Sequence, residues 1–287
     1  MFKVFSFFLF LFIISSQSFA QRLPLWELGA AVGAAKLPFY RGSAESRNVV
    51  LPLPLAIYRG KKYQMDEDGA RRWLYKSDRI KLDISLAAGL PVPKDGSVKI
   101  RQGMPRLHPV LEVGPVLDVM LWRYRNQTLT AHLPIRFATS LNWLDSSLQG
   151  YFISPYIQYV VRSYDRNYWE LNVAAGPQYG SDNFHDYYYS VAKEYERNDR
   201  IAYDAAAGYS GSRITFYANK RLGKLWMSVF ARYDFLEDAV FSDSPLVEKK
   251  SYLIGGFVLG WVFMDSPRRV SARPPKWFNL KSTKLVN

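Results

Sequence analysis

Residues 79–90 read RIKLDISLAAGL, and the first eight of them alternate strictly between polar and apolar side chains. Successive side chains of a β-strand point to opposite faces, so this stretch predicts a strand with one polar face and one apolar face. Strands of soluble sheets are most often about five or six residues long, whereas a tilted strand that crosses a membrane needs about 9–11 residues. The length of this stretch therefore favours a membrane sheet.

The same alternation recurs along most of the chain. Ten long segments are predicted as strands: Trp26–Leu37, Val49–Arg59, Arg79–Leu90, Val110–Arg123, Thr128–Ser140, Gly150–Arg162, Trp169–Tyr179, Tyr209–Leu222, Leu225–Phe235 and Ser251–Phe263. A shorter pair, Lys61–Met65 and Ala70–Lys76, brings the predicted number to twelve. An even number of long antiparallel strands is typical of outer-membrane barrels. The predicted fold is an all-β, antiparallel transmembrane β-barrel, and a secreted β-sandwich with the same alternation is the alternative.

The first twenty residues are typical of an export signal. Lys3 precedes a mostly apolar run from Val4 to Ile14, and the small residues around Ala20 suit cleavage before Gln21. This run is short for a membrane-spanning helix, which needs about 20 residues. The prediction divides the chain into a cleaved signal peptide (1–20), a barrel in the outer membrane (21–263) and a basic periplasmic tail (264–287).

The composition excludes several classes of protein. The chain has 287 residues and no cysteine, which excludes disulfide scaffolds, thiolate zinc sites and cysteine nucleophiles. Its formal net charge is +13, but export through a signal peptide excludes nucleic acid as the partner. We expect the positive charge to bind murein carboxylates, anionic lipids or acidic proteins instead.

Short and long connections alternate between the predicted strands. Outer-membrane barrels keep short turns on the periplasmic side and long loops outside, so the short turns are predicted to face the periplasm. These turns and the tail are net positive, whereas the long loops are net negative. The predicted rim for an anionic partner consists of Arg59, Lys61, Lys62, Arg123, Arg125, Arg162, Arg166, Arg221, Lys224, Arg268, Arg269 and Arg273. Lysines and arginines that reach inner-leaflet phosphates would give the same pattern, and this remains the alternative.

Charged residues of both signs fall on the polar faces of the predicted strands. The predicted lumen network consists of Lys81, Asp83, Glu112, Asp118, Arg136, Glu170, Arg232 and Asp234. Mixed signs suit neutralising pairs that fill a lumen better than the one-sign rings of a selective pore. A lumen of twelve strands lies between a filled interior and a channel, so a narrow channel stays open as an alternative.

Few residues suggest catalysis. The chain has three histidines, without paired metal-ligand spacing, and no glycine-rich phosphate loop. The pair His185-Asp186 could form half of a catalytic site, with Ser181 or Ser190 as a nearby nucleophile, but a structural or loop-ordering role is the better interpretation of His185. We predict neither an enzyme nor a bound cofactor or metal. Within the longest predicted loop, Tyr187–Lys193 is predicted to form a short helix.

An ordered series of motifs carries a specific resemblance. The series runs through WELG (26–29), PFYRGS (38–43), LPLP (51–54), YRG (58–60), SDR (77–79), GLPV (89–92), RQGMP (101–105), LEVGP (111–115), HDYYY (185–189) and DSPLV (243–247). In this order, from about Trp26 to Phe263, it resembles the MipA/OmpV family of outer-membrane proteins. The resemblance implies an outer-membrane barrel and, for some members, a scaffold that links a lytic murein transglycosylase to a bifunctional murein synthase.

The predicted function is therefore binding or scaffolding, with outer-membrane lipid, murein and murein-processing proteins as the predicted partners. A narrow passive channel for small solutes is the first alternative. A surface adhesin that uses the tyrosine-rich loop at 180–208 is the second.

Overall fold

The computed structural model describes residues 22–59, 64–66, 69–71, 74–94, 96–142, 146–163 and 168–271. The predicted signal peptide, its cleavage site at Ala20 and Gln21, and the part of the tail after residue 271 lie outside the described residues. Among the residues that are described, no helix is both long enough and apolar enough to cross a membrane.

Strands account for most of the fold. They are β1 (Arg22–Pro24), β2 (Trp26–Pro38), β3 (Ser46–Arg59), β4 (Gln64–Asp66), β5 (Gly69–Arg71), β6 (Tyr75–Lys76), β7 (Ile80–Gly89), β8 (Val110–Tyr124), β9 (Gln127–Ser140), β10 (Ser147–Ile153), β11 (Tyr156–Arg162), β12 (Trp169–Gly180), β13 (Gly208–Leu222), β14 (Leu225–Phe235), β15 (Ser251–Asp265) and β16 (Arg269–Ser271). One α-helix, α1 (Asp182–Tyr189), and two 3-10 turns, Lys99–Arg101 and Lys193–Tyr195, lie in the long loops.

Strands β2 to β15 form one antiparallel sheet that closes on itself, whereas β1 and β16 form a separate pair. Its path of hydrogen-bonded neighbours runs β5-β4-β3-β2-β15-β14-β13-β12-β10-β9-β8-β7-β6, with β11 also between β12 and β9. The two ends of this path, β5 and β6, are successive segments of the chain, so the sheet returns to its starting point as a barrel. When β5 with β6 and β10 with β11 each count as one position, the described strands occupy twelve positions. The predicted barrel is confirmed.

One predicted strand is two strands in the structure. The segment predicted over Gly150–Arg162 is interrupted at Ser154 and Pro155, and the pieces on either side, β10 and β11, each pair with β9 and β12. Proline has no backbone N–H to donate to a neighbouring strand, which explains the break at this point.

The outer wall of the barrel is apolar, as the alternation predicts. Along β15, Leu253, Phe257 and Trp261 are exposed, whereas Ile254 and Val262 on the opposite face are buried. Exposed apolar side chains on every second position are what a lipid-facing strand requires.

The first and last described strands, β1 and β16, meet at the short-turn end of the barrel. Strand β15 continues to Asp265, two residues beyond the predicted end of the barrel. Strand β16 then pairs antiparallel with β1, with Leu23 opposite Val270. The segment predicted as a tail from residue 264 therefore begins as the end of a barrel strand followed by a terminal strand pair.

Candidate functional site

Four long loops at one end of the barrel pack together into a single folded layer. We call this layer the cap; it comprises residues 39–45, 90–109, 181–207 and 236–250. Its buried apolar core includes residues from all four loops: Tyr40, Val92, Val98, Met104, Leu107, Tyr189, Val191, Ala205, Leu236, Ala239, Phe241, Leu246 and Val247. Because the lumen side of the strands is polar, the largest apolar core among the described residues lies in the loops.

Tyr189 lies at the centre of the cap. Its ring stacks on Phe241 at a centroid distance of 3.7 Å, with the two planes only 8° apart. Its hydroxyl donates a hydrogen bond to the Arg41 carbonyl (3.1 Å), and its own carbonyl accepts one from the Ser244 hydroxyl (2.6 Å). Burial raises the pKa of Tyr189 far above its ordinary value, so the phenol stays neutral. Three loops are thus joined through one side chain.

Helix α1 places Tyr189 and His185 in the cap. It starts at Asp182 because Ser181 caps it: the Ser181 hydroxyl accepts a hydrogen bond from the Phe184 N–H (3.4 Å) and another from the Tyr151 N–H (3.1 Å). The predicted helix at Tyr187–Lys193 starts five residues too late, because the capping serine was not recognised in the sequence. Residues 193–195 form a separate 3-10 turn.

His185 is fully buried, and this burial favours the neutral imidazole. Its Nδ1–H donates to the Ala206 carbonyl (2.6 Å), so Nε2 accepts from the Ser210 hydroxyl (2.5 Å). Burial lowers the pKa of His185, and the nearby Arg41 lowers it further. The serine that contacts His185 is therefore Ser210, which the sequence did not suggest; Ser181 caps α1, and Ser190 donates to Asp186 (2.6 Å).

Two arginines hold the loop at 90–109 against the loop at 181–207. Arg200 donates to the carbonyls of Ile100 (2.6 Å) and Tyr195 (2.6 Å), and Arg197 donates to the Lys99 carbonyl (3.1 Å). Backbone carbonyls that have no partner strand are satisfied in this way.

Two groups of the predicted lumen charges form ion pairs along β7, β8 and β9. Lys81 contacts Asp118 (3.2 Å) and Asp83 (3.5 Å), and Asp118 also contacts His132 Nδ1 (2.7 Å). In the second group, Arg136 contacts Glu112 (3.4 Å).

Glu170 lies near the short-turn end of β12. It contacts Arg162 at 2.9 Å and accepts a hydrogen bond from the Tyr168 hydroxyl (2.8 Å). Arg162 was predicted as a rim cation, but this carboxylate neutralises it.

A third cluster lies on the lumen face directly below the cap. Asp234 is fully buried and contacts Arg213 (2.9 Å), Arg232 (2.7 Å) and Arg41 (3.6 Å). Arg213 and Arg232 come from paired strands, β13 and β14, whereas Arg41 comes down from the first cap loop. The prediction from sequence included Arg232 and Asp234 and missed Arg41 and Arg213.

Arg221 is not the exposed rim cation that was predicted. It points into the barrel and forms a two-pronged ion pair with Glu27, which is fully buried, while its guanidinium lies 5.2 Å from the Trp226 ring centroid. The reason is the alternation itself, because Arg221 occupies the same face of β13 as Arg213. Its pairing with Glu27 removes one positive charge from the predicted rim.

The other rim residues have varied surroundings. Arg269 contacts Asp265 (3.1 Å), Arg123 is half-buried, and Arg125, Lys224 and Arg268 are exposed. Arg125 has a positive φ of 50° in the turn between β8 and β9. Side chains outside the described residues are those of Arg59, Lys61, Lys62, Arg166 and Arg273. No group of three potential metal ligands is found in the part of the chain that the structure describes.

A family model decides the classification. The model of MltA-interacting protein MipA matches residues 28–263. The chain belongs to the MipA family. It is therefore a protein of the bacterial outer membrane, as the closed barrel of long antiparallel strands also requires.

Other comparisons are more distant. No curated protein matches the chain by sequence. A bacterial polysaccharide outer membrane secretin is 8% identical over 84% of this chain and 99% of its own, with a TM-score of 0.39. An outer membrane channel from Pseudomonas putida F1 is 12% identical over 88% of this chain and 100% of its own, with a TM-score of 0.31. Structural similarity at these TM-scores is too low to support an inference about the function of this chain.

The motifs of the MipA family converge on the cap. Tyr40 and Arg41 come from the motif at 38–43, Tyr189 from the motif at 185–189, and Ser244 and Leu246 from the motif at 243–247. These residues are far apart in sequence and lie in loops, so strand periodicity could not reveal that they form one core. The one indication in the sequence was that these three motifs lie mainly outside the predicted strands.

Proposed function

We propose that this MipA family member is a non-catalytic scaffold that holds a murein-processing protein at the short-turn end of its barrel. The cap is the observation that carries the proposal. A folded layer with a buried apolar core covers one end of the barrel, and ion pairs between neighbouring strands line the lumen wall below it. A barrel built in this way is suited to binding at its other end rather than to free passage of solutes.

The family description supplies the class of partner. It names an interaction with MltA, which is a murein transglycosylase. Outer-membrane barrels keep their short turns in the periplasm, where murein is located. The proposal therefore assigns the partner surface to the short turns and the strand pair formed by β1 and β16.

Exposed cations give this surface its chemistry. Arg125, Lys224 and Arg268 remain exposed at the short-turn end, whereas Arg162 and Arg221 are paired with carboxylates. The basic surface is therefore smaller than the sequence predicted. Exposed charges attract an anionic partner over a Debye length of about 8 Å at physiological ionic strength, so binding through this surface should weaken as salt rises.

Affinity capture from detergent-solubilised envelope tests the proposal. We expect the intact barrel to enrich a lytic transglycosylase or a murein synthase, and the variant with Arg125→Glu and Lys224→Glu to enrich it less. Lys94→Glu with Lys193→Glu is the matched control, because both lysines are exposed in the cap at the other end. Capture without any murein-processing protein, or equal loss in both variants, contradicts the proposal.

Neither alternative function is supported by the cap. The tyrosine-rich segment of the proposed adhesin loop packs inward: Tyr189 is buried and Tyr187 donates to the His108 carbonyl (3.0 Å). We also propose no catalytic step, because His185 and Ser210 are both fully buried and hydrogen-bonded to each other.

A further inference from the structure

The cluster around Asp234 is unbalanced in charge. Three guanidinium groups, those of Arg41, Arg213 and Arg232, surround one carboxylate at 2.7–3.6 Å. Among the described residues, no other carboxylate forms an ion pair with any of the three. Arginine stays protonated in proteins, so two positive charges remain without a counter-charge at this point of the lumen.

The cluster also has more hydrogen-bond donors than acceptors. Both oxygens of Asp234 are occupied, Oδ1 by Arg213 and Oδ2 by Arg232. The Nε–H of Arg41 and the hydroxyl of Tyr252 are buried; the two side chains interact with each other, and no other described residue accepts a hydrogen bond from either atom. Buried donors outnumber the acceptor oxygens at this point, so an additional acceptor would stabilise the cluster.

Solvent reaches the cluster from the lumen. The relative exposed areas of the Arg213 and Arg232 side chains are 28% and 27%, whereas the Asp234 side chain between them is fully buried. The cap covers the cluster from above through Arg41, whose side chain also donates to the Ser210 carbonyl (2.7 Å). A ligand of the cluster would therefore lie in the upper lumen, beneath the cap.

We propose that Arg41, Arg213, Arg232 and Tyr252 form a binding site for an oxyanion, the carboxylate or phosphate group of a small solute. Such a group supplies both things that the cluster lacks, negative charge and acceptor oxygens. The planar guanidinium group of arginine matches carboxylate and phosphate oxygens in a two-pronged arrangement, and the Tyr252 hydroxyl adds a donor of fixed position. The site is independent of the scaffold surface, which lies at the other end of the barrel.

Titration calorimetry on the purified, folded barrel in detergent tests this site. Inorganic phosphate and succinate serve as the two probes, at constant ionic strength maintained with chloride. We expect saturable binding of at least one probe, about tenfold weaker binding in Arg213→Gln, and a several-fold loss in Tyr252→Phe. Binding of phosphate alone or of succinate alone supports the site and identifies which oxyanion it takes.

Arg136→Gln is the matched control, because Arg136 is also a lumen arginine but is paired one-to-one with Glu112. It should change the dissociation constant of neither probe. The shift between unboiled and boiled protein on a gel verifies that each variant is folded, and Tyr252→Phe keeps all four charges in place if Arg213→Gln does not fold. Absence of saturable binding in the wild type, or an equal loss in Arg136→Gln, overturns the proposal.

Discussion

His185 makes the stability of the cap depend on pH. Its Nδ1–H donates to the Ala206 carbonyl and its Nε2 accepts from Ser210, so the folded cap binds the neutral imidazole. Burial lowers the pKa of His185 in the folded state below the unperturbed value of about 6.5. The unfolded loop therefore binds a proton more readily than the folded cap does, and the cap is fully stable above about pH 6.5 and loses stability as the pH falls below that value.

Trypsin sensitivity of the cap measures this effect, because exposed lysines and arginines lie in its loops. We expect cleavage within residues 181–207 to accelerate between pH 7 and pH 5.5 in the wild type, after correction for trypsin's own pH dependence. His185→Gln should be cleaved faster at pH 7 and should lose most of the pH dependence. His108→Gln, in another cap loop, is the control that should keep it; an unchanged pH profile in His185→Gln contradicts this account.

Helix α1 depends on its capping serine. Because the Ser181 hydroxyl accepts hydrogen bonds from both Phe184 and Tyr151, Ser181→Ala removes the helix cap and the link to β10 together. We expect a loss of about 1 kcal/mol in the local stability of the cap. Hydrogen exchange of the amides in α1 measures it, and Ser146→Ala, in an exposed loop between β9 and β10, should leave exchange unchanged. Equal protection of α1 in both variants would show that the cap hydrogen bonds are not needed.

The ion pair between Glu27 and Arg221 joins β2 to β13 across the barrel interior. Removing one partner of a buried ion pair typically costs about 3–5 kcal/mol, because the other charge is left buried and unpaired. Glu27→Gln should therefore lower the temperature at which the unboiled band shifts on a gel. Adding Arg221→Gln to that variant should restore part of the difference. A band shift at the wild-type temperature in the single variant contradicts the role of the pair.

At the level of elements, the sequence predicted what local alternation determines. The strand at Thr128–Ser140 differs from β9 by one residue at its start, since lipid on one face and water or ion pairs on the other enforce a period of two. The cap was not predicted, because Tyr40, Tyr189 and Phe241 meet only after the barrel has brought their loops together. Arg41 was missed as a partner of Asp234 for the same reason.

At the scale of the whole molecule, two ends of one barrel have different tasks in this account. The cap covers the end with long loops, and its core includes Tyr40, Tyr189 and Leu246 from the motifs at 38–43, 185–189 and 243–247. The proposed partner surface occupies the end with short turns, where β1 and β16 also pair. The proposed function requires that such a barrel anchor a partner to the membrane without opening a route through it.

Conductance across a planar bilayer tests the closed barrel most directly. We expect purified, folded protein to insert without producing steady single-channel steps, because the cap covers the long-loop end of the lumen. A porin purified in the same detergent verifies that insertion and recording work. Steady, reproducible steps from the intact protein, absent from bilayers treated with detergent alone, would contradict the account and favour the channel.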